Sequence, residues 1–80
     1  MTKWTNAADK HRVTRKSVEF VLANNDGEPT VLNDGTPALL YIAPDQTGEV
    51  IEVLTIAIPT GERLVVHAMP FRYRTPRSKR

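Results

Sequence analysis

Histidine, arginine, lysine and tyrosine are the side chains that hold a phosphodiester and move protons around it, and this chain carries them at its two ends. His67 stands near the close of the last apolar segment, and an imidazole titrates in the range that suits a general acid or base. Directly after it, Arg72 and Arg74 alternate with Phe71 and Tyr73. Guanidinium groups in that position neutralise a phosphorane while the aromatics stack on bases. Lys10 and His11 join the set only where their segment lies beside residues 67–74, and Arg77 extends the cationic run. The blander reading makes His67 an outward strand residue in a cross-strand pair. In it, the aromatics pin a C-terminal extension whose arginines are solvated.

Other chemistries find little support. There is no glycine-rich phosphate loop, no paired-carboxylate signature and no His-Glu-x-x-His spacing. The chain has two histidines and no cysteine, so a metal site would have to be built from carboxylates in a pattern the sequence lacks, and no cofactor is expected. Ser17 and Ser78, the only serines, stand on a helix and in the tail, a poor basis for a serine triad. Glu52 breaks the apolar rhythm of the longest strand. An inward acid on a sheet is usually paired, with Arg72 a fitting mate, and a general base is the alternative. Trp4 reads as a packing residue for the N-terminus, with base stacking the alternative.

The charge is unevenly spread. Its total is +2, but residues 1–16 sum to +4 and residues 72–80 to +5, while residues 17–71 set one arginine against eight acids and sum to −7. If the two ends meet, they form one basic face on an acidic body, which steers polyanions or an acidic protein in a salt-dependent way. A solvated basic tail is the alternative.

Eighty residues, 40% apolar and 25% charged, make one small domain. Such a chain buries about 60–65% of its unfolded surface, which leaves little room for a deep cavity. The absence of cysteine points to the cytoplasm, and no run approaches the ~20 apolar residues of a membrane span. Thr5 or Asn6 is expected to cap a short helix to about Arg12. Thr14 caps a second from about 15 to 24, with Val13 and Val18 at hydrophobic-staple spacing and Asn24 to Gly27 ending it. Strands follow over 29–32, 38–43, 49–58 and 63–69, separated by turns short enough to imply antiparallel neighbours. Alternation puts Leu64, Val66 and Ala68 inward, with Arg63, Val65, His67 and Met69 outward. The expected class is α+β, two N-terminal helices packed on a curved 3–4-stranded antiparallel sheet.

Trp4, Asp9-Lys10-His11, Val13-Thr14 with Val18, and the closing Val66-His67-Ala68-Met69-Pro70-Phe71-Arg72-Tyr73-Arg74 resemble the BrnT-like toxins. These are small members of the RelE/ParE superfamily of type II toxin–antitoxin systems. The resemblance implies a RelE-like domain over residues 1–74, with 75–80 a flexible basic tail. It also implies a metal-independent endoribonuclease that inhibits translation on RNA, free or ribosome-associated, and is neutralised by a small antitoxin protein. By it, His67, Arg72, Arg74 and Lys10 are catalytic, while Lys10, His11, Tyr73 and Arg77 bind RNA. The assembly is a homo-oligomer or a toxin–antitoxin hetero-oligomer, with no membrane partner. The competing function is a non-catalytic nucleic-acid- or protein-binding module, or a relic of the toxin fold kept for interaction. Arg77, Lys79 and Arg80 bear charge without apolar mass. Deleting residues 75–80 should therefore leave the melting temperature nearly unchanged and weaken RNA or partner binding; a large fall in melting temperature contradicts this.

Overall fold

The computed structural model describes residues 2–5 and 13–71. Its helix, α1 (Arg15–Asn24), starts where the Thr14 hydroxyl accepts the Ser17 N–H at 3.1 Å, satisfying a donor that the first turn leaves without a helical acceptor. Ser17, Val18 and Val21 form its buried face. At the other end the chain does not turn left-handed, as the asparagines and glycine implied. Asn25 is extended, with φ −142°, and two side-chain amides cap the helix instead. Asn24 Nδ2 donates to the Phe20 carbonyl at 2.8 Å and Asn25 Nδ2 to that of Val21 at 2.9 Å.

Five strands follow the order β1-β5-β4-β3-β2 in one mixed sheet. They are β1 (Thr2–Trp4), β2 (Glu28–Val31), β3 (Pro37–Pro44), β4 (Val50–Ala57) and β5 (Arg63–Pro70). The four later strands form an antiparallel meander, within a residue or two of the expected bounds. The expected RelE-like arrangement, two helices on a 3–4-stranded antiparallel sheet, is corrected. The sheet has five strands and one of its pairings is parallel, because residues 2–4 pair with residues 63–65. Among the described residues there is one helix. The short helix expected through Arg12 falls on residues 6–12, outside them. A three-residue strand gives no periodicity to read, and its partner lies about sixty residues away. After β1 the chain enters α1, runs to the far edge at β2, and returns strand by strand to lie against β1.

Three hairpin turns of one design join the meander. In each, three residues sit between a closing pair, Leu32 with Thr36, Asp45 with Glu49, and Ile58 with Glu62, and the third is a glycine. Gly48 shows why: its φ is +92°, a left-handed conformation that disfavours a side chain. The buried Asp45 fixes this turn. Its Oδ1 accepts the Thr47 hydroxyl at 2.6 Å, the Thr47 N–H at 2.8 Å and the Glu49 N–H at 3.1 Å.

The helix-side face of the sheet carries the core: Tyr41, Ala43, Ile51, Val53, Val65 and Ala68 under Val18 and Val21, with Trp4, Val13, Leu22 and Leu39 against the cluster. Gly27 passes so close to this layer that a Cβ there would sit 2.7 Å from both Leu39 Cβ and Tyr41 Cζ. The alternation expected for β5 fails in the middle. Thr55 faces Val65 and Leu54 faces His67, so Val66 has no opposite residue and forms a bulge. Val65 and Ala68 are both fully buried, whereas Leu64, expected inward, pairs with Ile56 on the second face. None of the described helices is long and apolar enough to cross a membrane.

Hydrogen bonds, first among them that of the Thr47 side chain, hold the Asp45 carboxyl below the ordinary aspartate range. A carboxyl lowered by folding contributes stability above its unfolded pKa, and loses it as pH falls through the folded value. Asp45→Asn should therefore melt below wild type at neutral pH, with the gap narrowing as pH falls below the ordinary aspartate range. Thermal melts across that range check this; a gap independent of pH contradicts it.

Candidate functional site

The second face of the sheet is where polar chemistry collects. Glu52, in the middle of β4, has Ile42 and Met69 as its cross-strand neighbours and is 6% exposed. A carboxylate set among apolar side chains needs a cationic or hydrogen-bonding mate. The structure provides His67, whose Nε2 lies 3.2 Å from Glu52 Oε2. The imidazole is 29% exposed, so it connects a buried acid to the solvent side of the sheet. A tautomer that donates Nε2–H to the carboxylate carries its lone pair on Nδ1, and the fixed ring then aims that atom in one direction.

The bulge at Val66 makes this contact. The turn closing β4 and β5 pairs Ala57 with Arg63, Ile56 with Leu64 and Thr55 with Val65. Continued without a break, that register would set His67 opposite Val53, on the core face. The extra residue moves it opposite Leu54, one diagonal step from Glu52.

Beside the dyad runs a groove of about 540 Å³, bounded by the β2–β3 hairpin and β4. Glu52, Leu54, Leu40, Thr30, Val31 and Asp34 form part of its lining. The Asp34 carboxyl accepts the Thr36 N–H at 3.0 Å, and its bonds to Thr36 hold it below the ordinary range. Ile42 and Val50 are exposed on the same face, at 42% and 38%.

Of the residues singled out for catalysis, His67 lies in this site, on β5. Arg72, Arg74 and Lys10 lie outside the described residues, as do His11, Tyr73 and Arg77. The described part of the opening segment does run beside β5. Trp4 pairs with Val65, and the Thr5 N–H donates to the Val65 carbonyl at 3.1 Å, two residues before His67. Trp4 packs on the core with the Arg15 guanidinium 4.8 Å from its ring centroid, in a cation–π contact. Ser17 is buried in the helix cap.

Glu52, read from the sequence as a paired inward acid or a general base, was not among the residues named as catalytic or RNA-binding. Its mate here is His67; the expected Arg72 lies outside the described residues. Its signal was present as a second polar interruption: two adjacent apolar strands each carry one, Glu52 and His67. Among the described residues no group of three His, Asp or Glu side chains is placed to hold a metal ion. No family model, curated protein or solved structure matches this chain.

The pair should be energetically coupled. A double-mutant cycle with Glu52→Gln and His67→Gln, followed by denaturant unfolding, should return an interaction of about 1 kcal/mol, at the low end because the imidazole is partly solvated. A coupling near zero would mean the contact positions nothing.

Proposed function

We propose that the chain is an endoribonuclease acting without a metal, with His67 as the proton-transfer group and Glu52 as its positioning residue. The observation that carries this reading is the 3.2 Å contact between a buried carboxylate and a solvent-reaching imidazole. In the proposed reaction an RNA 2′-hydroxyl attacks the adjacent phosphorus. The O2′–P bond forms, the P–O5′ bond breaks, and the hydroxyl's proton ends on the departing 5′ oxygen. His67 takes that proton and returns it, while Glu52 holds the ring and stabilises the imidazolium between the two transfers. Arg72, Arg74 and Lys10 are assigned to the phosphate, and His11, Tyr73 and Arg77 to the rest of the RNA. The resemblance of the Trp4, Asp9-Lys10-His11 and Val66–Arg74 motifs to BrnT-like toxins supports the same reading. By it the protein works in the cytoplasm, arrests translation and is neutralised by a small antitoxin.

The second reading is a binding module that does not cut. It is favoured by the exposed Ile42 and Val50 beside the dyad, because an apolar patch on a sheet suits a protein partner.

Single-stranded RNA incubated in EDTA separates the two. Cleavage that leaves 2′,3′-cyclic ends, falls about 10²–10⁴-fold in His67→Ala, and falls in kcat with KM near wild type in Glu52→Gln supports the nuclease. Both variants must remain folded by circular dichroism. Salt-sensitive binding with intact RNA supports the module, and normal growth on induced expression counts against the toxin.

A further inference from the structure

We infer that the groove bounded by the β2–β3 hairpin and β4 is a nucleobase subsite that prefers guanine; this rests on the endoribonuclease reading and names the part of the substrate the site selects. Three observations lead there. The groove adjoins the dyad through Glu52, which lines it and contacts His67 Nε2. A nucleotide whose ribose reaches His67 has its base within reach of this groove. Its volume, about 540 Å³, falls in the range of small-ligand sites.

The lining chemistry then decides which part of a nucleotide enters. Phosphate is excluded, because the charged groups on the lining, Asp34 and Glu52, are both acids. A planar heterocycle fits against the apolar side chains of Leu40 and Leu54, where its face loses water. Its edge then meets the acceptor oxygens of a carboxylate. Asp34 is the better of the two for this task, since it is exposed in the β2–β3 turn and the bonds from Thr36 favour its ionised form.

An ionised carboxylate accepts hydrogen bonds and gives none. Among the four RNA bases, guanine alone offers two neighbouring donors on its Watson–Crick edge, N1–H and N2–H, a fork that matches two carboxylate oxygens. Adenine and cytosine set an amino donor beside a ring acceptor that a carboxylate repels, and uracil sets one donor between two carbonyls. The groove thus discriminates by the cost of facing acceptor to acceptor as much as by the bonds it gains.

The full chain is titrated with guanosine, adenosine, cytidine and uridine 3′-monophosphates while backbone amide shifts are followed by NMR. Support is a guanosine-selective response at Thr30 to Asp34, Leu40 and Leu54, with affinity at least tenfold above the other three. Asp34→Asn keeps an oxygen for the Thr36 N–H but presents an amide, and it should lower guanosine affinity about tenfold. Equal responses to all four nucleotides, responses outside the groove, or an unchanged preference in Asp34→Asn overturn the subsite. Cleavage is scored separately. RNA cut without preference for the residue bearing the attacking 2′-hydroxyl leaves the nuclease standing and sinks the guanine preference. Selective binding of guanosine 3′-monophosphate in the groove with intact RNA sinks the nuclease and keeps the subsite.

Discussion

One unopposed residue sets where the polar pair of this sheet stands. At Val66 two residues of β5 span a single step of β4, and every side chain beyond that point changes face relative to an unbroken ladder. On the near side of the bulge the core receives Val65, and on the far side it receives Ala68. His67 consequently stands on the second face, on a diagonal from Glu52. Without the bulge the imidazole would enter the layer occupied by Val53, and its 3.2 Å contact with Glu52 would be lost. Bulges often re-aim a side chain in this way beside functional sites, and the local gain in twist draws diagonal neighbours together.

The rest of the architecture holds that register in place. The Ile58–Glu62 turn closes the β4–β5 hairpin with a glycine at positive φ, fixing the pairing from which the bulge departs. On the helix side the fully buried Val53, Val65 and Ala68 pack beneath α1, so a slip of one residue would expose the core. Apolar burial on one face therefore specifies the position of a polar pair on the other. The two faces divide accordingly: the core packs beneath α1 on one, and Glu52 and His67 meet on the other.

Much of this was legible beforehand, and the reasons for the misses are physical. Thr14 as the helix cap and four strands to within a residue or two followed from strong local rules: an oxygen for an orphan N–H, and glycine where a turn needs positive φ. β1 was missed because three residues carry no pattern and the partner is remote. The helix stop was misread because asparagine ends a helix in two ways, by turning left-handed or by capping carbonyls with its amide, and Asn24 and Asn25 use the second. His67 was expected outward and Ala68 inward, as found, but from an unbroken alternation that also sent Val65 outward and Leu64 inward. Glu52 was seen as an acid in need of a partner. Its contact with His67 was hidden because a bulge leaves no mark in composition.

The parallel docking of the first strand imposes an order of events on synthesis. Residues 2–5 leave the ribosome well before residues 63–65, from which their berth is built. The three hairpins close between near neighbours, so the meander can assemble while the opening segment waits. Until residues 2–5 swing back, the outer rim of β5 offers bare amides and carbonyls to any passing extended chain, and the return of Trp4 to the core is the step that retires this hazard.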